Sequence, residues 1–195
     1  MVGHTCEDII RSAYRRSGAA AAETPLDAPD ATVGMERLQG MYISFFTGGL
    51  FGVLTEYYLS TGDYTAKEYD RIFQADPTSV ITVPTTVVDD VTGLTRTPRD
   101  GAIIVIVDPV AGVPSMQIYN GMMGQWQEVQ GLVIADIAPL AYQFDEQLKD
   151  LLGAYICDDT GMEVPKVLAL NAKLAKLSLS ARFGRKRKVG TPEYF

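Results

Sequence analysis

Apolar residues recur at helical spacing near the start of the chain, at Ile9, Ile10, Ala13 and Tyr14. Thr5, Glu7 and Asp8 precede them and Gly18 follows. A hydroxyl side chain and acids satisfy the free N–H groups of a first turn, and glycine takes the left-handed conformation that closes a last one, so the pattern predicts a short amphipathic helix. Residues 19–30 hold Pro25 and Pro29 among small residues; Pro29 suits the first turn of a second helix with Val33, Leu38, Met41, Tyr42 and Phe45 along it. Gly48 and Gly49 end that helix. Beyond them Phe51, Val53, Leu54, Tyr57 and Tyr58 form an apolar segment whose period does not choose between helix and strand.

From Ser79 the pattern changes to β-branched runs bounded by Pro, Gly or Asp: Val80-Ile81-Thr82-Val83, then residues 102–107. Met116 to Tyr119 and Trp126 to Val129 read as two more strands, joined by a hairpin loop at 120–124, and a small antiparallel meander results. After Pro139 the helical period returns with Leu148, Leu151, Leu152, Tyr155 and Ile156, ending at Asp158-Asp159-Thr160-Gly161. A last helix opens near Pro165, with Val167, Leu168, Leu170, Leu174, Leu177 and Phe183 as its apolar positions and Lys166, Lys173 and Lys176 on its polar side. The expected fold is mainly α: a helical bundle with a projecting antiparallel β unit and an extended C-terminal arm. Its divisions are 1–78 and 138–183 for the bundle, 79–137 for the β unit and 184–195 for the arm.

Charge refines this picture. The formal net charge is −7, yet Arg182, Arg185, Lys186, Arg187 and Lys188 cluster late in the chain, which leaves the body near −12. An acidic body does not wrap nucleic acid over its whole surface. The two cysteines, Cys6 and Cys157, make neither a paired-thiol motif nor a disulfide framework, and early Glu7, Asp8 and Arg11 break any secretory leader pattern. A reduced, intracellular site of synthesis follows. The longest apolar stretch, Met41 to Leu54, is about 14 residues with three glycines, too short to span a bilayer.

Candidate chemistry is thin. His4 and Cys6 lack the further ligands of a zinc site. Residues Thr47 to Gly52 are glycine-rich but lack the lysine and following hydroxyl residue that end a phosphate loop. The acid pairs Asp89-Asp90 and Asp158-Asp159 sit beside turn glycines, where Asp favours the backbone geometry without catalysis. One histidine and no nucleophile-elbow pattern argue against serine or cysteine catalysis. The chain therefore reads as a non-enzyme with no catalytic residue, metal or cofactor. The basic run and the terminal aromatics Tyr194 and Phe195 read as an arm that docks on protein. Tyr119 and Trp126 read as exposed candidates for contacts to neighbouring copies, with Trp126 also suited to the local core of the β unit.

Two stretches carry a resemblance. Glu7 to Gly18 with Met35-Glu36-Arg37-Leu38-Gln39-Gly40-Met41, and Leu148 to Ile156 with Val164-Pro165 and the helix 167–182, resemble the opening and closing helices of the head-to-tail adaptor family of tailed phages, also called head-completion or packaged-DNA-stabilisation proteins. Ala138-Pro139-Leu140 marks the return from a less similar middle, 79–137. The resemblance implies a virion structural protein, made in the host cytoplasm, that forms a ring of about twelve copies under the portal protein. The ring closes the DNA-filled head and receives tail or nozzle proteins and fibres. DNA passes through its channel without sequence-specific binding, and no membrane is involved. Arg182, Arg185, Lys186, Arg187, Lys188, Tyr194 and Phe195 are then the portal-docking arm. The rival readings are a cell-wall glycoside hydrolase of the virion and a small DNA-binding protein using the basic tail.

Overall fold

The structure, a computed structural model, describes residues 4–21, 25–47, 55–59, 70–74, 86–88, 92–107, 114–140 and 142–183. Helix α1 is Cys6–Ser17. Its start is a reciprocal cap: Asp8 N donates to Thr5 Oγ1 at 3.2 Å, and Thr5 N donates to Asp8 Oδ2 at 3.2 Å. This satisfies two backbone donors that the helix itself leaves free. Gly18 closes it at φ 83°, a left-handed conformation that is cheap for glycine. Helix α2 is Ala28–Thr47, with Asp27 Oδ1 accepting from Asp30 N at 2.8 Å at its first turn. A 3-10 turn, Tyr142–Phe144, leads into α3, Asp145–Thr160, which Gly161 ends at φ 67°. Helix α4 is Lys166–Phe183.

Among the described residues, seven strands lie between α2 and α3. They are β1 (Thr55–Leu59), β2 (Asp70–Gln74), β3 (Val87–Val88), β4 (Thr95–Arg96), β5 (Ile103–Val107), β6 (Pro114–Asn120) and β7 (Gln125–Glu128). β3 and β4 pair separately; the others form one sheet in the order β1-β2-β5-β6-β7. The expected meander is β5-β6-β7, antiparallel, with Ile103 opposite Ile118 and Tyr119 opposite Trp126. Two features differ from expectation. The sheet is mixed, because β1 pairs with β2 and β2 with β5 in parallel. It also begins at Thr55, ahead of the boundary at 79: Tyr57 and Tyr58, whose spacing suited either element, belong to a strand, as aromatic content favours. The expected strand at 80–83, the glycines at 48 and 49, Asp89-Asp90 and the arm at 184–195 lie outside the described residues.

The chain is thus a helical bundle carrying a β unit, but that unit does not project freely. Ile103, Val105, Met116, Ile118, Val129 and Leu132 share one core with Ile9, Ile10, Leu38, Tyr42, Leu148 and Leu152. Each large aliphatic buried there contributes roughly 1.5–3 kcal/mol. Hydrogen bonds stitch the seam: Cys6 N donates to Asp136 O (2.8 Å), Glu7 N to Ile134 O (3.0 Å) and Ala138 N to His4 O (3.0 Å). The first free N–H groups of α1 therefore end on the strap that leaves the sheet. From α2, Gln39 Nε2 donates to Leu132 O at 3.0 Å.

Within the bundle α1 lies against α3. A Cβ on Gly153 would stand 3.1 Å from Ala13 O, so the missing side chain sets how closely these helices approach. Arg16 clamps the pair from outside, bonding Asp150 Oδ1 at 2.5 Å and the Glu146 carboxylate. Arg37 ties α2 to α3 through Asp159, which gives that acid a structural partner. α2 packs on α1 and α3, and α4 packs chiefly on α3. No described helix is long and apolar enough to cross a membrane.

Candidate functional site

Helix α4 carries two apolar faces. Leu168, Ala172, Ala175 and Leu179 are buried. Val167, Leu170, Leu174 and Leu177 occupy the opposite side and are 72, 59, 55 and 59% exposed. Hydropathy alone merges the two sets; packing separates them, because the small Ala172 and Ala175 let α4 sit close on α3 while the bulkier aliphatics stay outside. The outer set recurs at i, i+3, i+7 and i+10, the spacing of a coiled-coil seam. Lys166 and Lys173 border it on one side, Asn171 and Ser178 on the other, and the helix contains no acidic residue. Four large aliphatics held in water on one regular helix form a surface suited to being covered.

The outer face of α2 is its chemical counterpart. Val33, 44% exposed, stands between Asp30 and Glu36, one helical turn to either side. Arg37 is committed to Asp159, while Glu36 makes no ion pair among the described residues. Two and three turns beyond Val33 on this side come Gly40 and Ser44, both exposed. The two α2 glycines differ in kind. A Cβ at Gly34 would collide with Ile10 Cγ2, so Gly34 serves packing against α1; nothing lies within 4 Å of a Cβ placed at Gly40. An exposed glycine within a helix costs about 1 kcal/mol relative to alanine, and no contact among the described residues explains it. Val33 itself was expected on the same apolar side as Leu38 and Met41; the structure turns it outward.

The other sequence candidates fall in different places. Arg182 lies exposed in the last turn of α4; Arg185, Lys186, Arg187, Lys188, Tyr194 and Phe195 are outside the described residues. Tyr119 is buried, contrary to its reading as an exposed contact. Trp126 is half-buried and meets it edge-on, with ring centroids 5.3 Å apart and planes at 72°. Opposite each other in register on one face of the sheet, the two rings cover one another, so Tyr119 offers no free surface.

Sequence reasoning missed a polar centre under the bundle. His4 Nδ1 pairs with Asp145 Oδ2; the carboxylate is almost wholly buried and the imidazole half-exposed. Burial is the main influence on Asp145 and raises its pKa, against the opposing pull of His4 and Lys149. Asp145 Oδ1 and Tyr42 Oη are buried without a hydrogen-bond partner among the described residues. Burial likewise pushes the Cys6 thiol up to about 12, with Asp136 adding to it. Cys6 and Cys157 are both buried, and a thiol held that high is protonated and a poor nucleophile at neutral pH. The sequence offers only the single His4 as a hint, because its partner lies 141 residues away.

An open groove of about 280 Å³ between α3 and α4 is lined by Glu146, Asp150, Asn171 and Leu174, among others. Its carboxylates are already engaged. Lys149 first and Arg16 second hold Glu146 down at about 2, so it is ionised at ordinary pH and is no proton donor of the kind a glycosidase needs. Asp158 and Asp159 sit at the end of α3, with Asp159 held by Arg37. Among the described residues no three His, Cys, Asp or Glu side chains converge as metal ligands. In comparisons with known proteins, no family model matches the chain and no curated protein matches it significantly.

Proposed function

We propose that this protein is a structural head-to-tail adaptor of a tailed-phage virion: copies assemble as a ring under the portal, close the filled head and present the site at which the tail attaches. The observation that carries the assembly reading is the row of four exposed aliphatics on α4, a regular helix with a second face already buried in its own core. Its phage assignment rests on the resemblance of the opening and closing helices. The charge is compatible with a conduit: a net −7 per copy makes ring walls that repel phosphates, so DNA slides without adhering. In this reading Arg182 to Lys188, Tyr194 and Phe195 form the portal-docking arm, and ring neighbours and tail proteins share the remaining surface.

Mixing the full-length protein with purified portal rings, beside a version truncated after Phe183, tests this by electron microscopy. An added ring with the full-length chain alone supports both the adaptor and its arm. Rings from both versions remove the arm's role. No ring from either overturns the adaptor, and cell-wall digestion and salt-dependent DNA binding then decide between its rivals.

A further inference from the structure

We infer that the exposed face of α4 seats on the outer face of α2 of a neighbouring copy, so that the chain associates head to tail. This deepens the assembly reading above and rests on it. Charge decides between the available partners. If α4 paired with its own copy in antiparallel fashion, Lys166 and Lys173 would oppose the same lysines; in parallel they would meet only Asn171 and Ser178. The basic run at Arg185 to Lys188 has the same sign as α4 and is a poor occupant too. The outer face of α2 has the opposite sign, through Asp30 and Glu36, and an apolar anchor in Val33. It also has relief: open space above Gly40, followed by the small Ser44, admits the bulk of Leu170, Leu174 and Leu177. Knob and recess are on different helices, and α2 and α4 both pack on α3 rather than chiefly on each other. Each copy thus offers one surface of each kind, and such a contact repeats until a ring closes or a filament grows.

Thiol crosslinking tests the pairing. Cys6 and Cys157 are buried, so cysteines introduced as Gly40→Cys and Leu174→Cys are the accessible thiols among the described residues. The double variant, treated with a short bis-maleimide both free at high concentration and on the portal ring, is expected to give a ladder of dimers, trimers and larger species, while neither single variant crosslinks. Dimers from Leu174→Cys alone show that α4 pairs with itself and overturn the inference. So does a double variant that stays uncrosslinked under both conditions. Charge exchange supplies an independent arm at exposed positions: Lys173→Glu and Glu36→Lys each weaken self-association about fivefold, and the two together restore it. Portal recruitment, scored separately by co-sedimentation, keeps the two failures apart. Recruitment without the 40–174 crosslink sinks the pairing and leaves the adaptor; a ladder without recruitment does the reverse.

Discussion

Asp145 and Glu146 are adjacent carboxylates with opposite electrostatic consequences. Asp145 is buried, which raises its pKa, so its ionised form works against folding and stability grows as pH falls through its raised folded value towards the ordinary 3.8. His4 offsets part of that cost. His4→Ala should therefore lose about 1–3 kcal/mol at pH 7, the cost of leaving a buried acceptor without its partner, and the deficit should be smaller at pH 3.8, the ordinary carboxyl value, which lies below the raised pKa of Asp145. Denaturant unfolding at the two pH values checks this; equal deficits would contradict it. Glu146 has the reverse sign. Held at about 2 against an ordinary 4.5, it stabilises the fold fully above pH 4.5, and that contribution is lost as pH falls towards 2. Because Glu146 is largely exposed, Glu146→Gln should cost under about 1 kcal/mol at pH 7 yet flatten the acid limb of a melting-temperature profile. The two α2 glycines make a further pair. Gly34→Ala should destabilise by about 1–3 kcal/mol, because Ile10 is branched and has nowhere to yield. Gly40→Ala should stabilise the monomer by up to about 1 kcal/mol, read in the same thermal melts.

At the scale of elements, the caps and the buried stripes were the legible part. Thr5 with Asp8, Gly18 and Gly161 mark helix ends in the sequence because capping depends on residues a few positions apart. Thr5→Ala should accordingly cost about 1 kcal/mol, with hydrogen exchange accelerating first at Asp8, whose amide donates to the Thr5 hydroxyl. The stripe Ile9, Ile10, Ala13 and Tyr14 was legible for the same reason, as its other side is plainly polar. Helix α4 was not. Its apolar residues surround much of the axis, and which arc faces inward depends on where α3 lies, information that no local window holds. Tyr155 on α3, predicted with the core residues, is also exposed. Sheet order was illegible beyond the meander, since parallel pairing of β1, β2 and β5 joins strands that are not neighbours by hairpin. The His4–Asp145 pair stayed hidden because nothing in sequence relates its members.

At the scale of the molecule, one core unites the helices and the inner face of the sheet, and the strap at residues 134–138 is its fastening. That fastening joins the beginning of the chain to its last third, with Thr5 bridged to Ile137 and Ala13 set against Gly153. The consequence lies in how the protein is made. Helix α1 leaves the ribosome with its apolar stripe uncovered, and its partner α3 is finished only when residue 160 emerges. At about 5–20 residues per second that interval is roughly 7–30 s. Throughout it Ile9, Ile10 and Tyr14 remain available to chaperones and to nascent neighbours on the same messenger. Copies translated on one polysome therefore lie side by side with this stripe still open, and the exposure ends only with the late closing of α3 over α1.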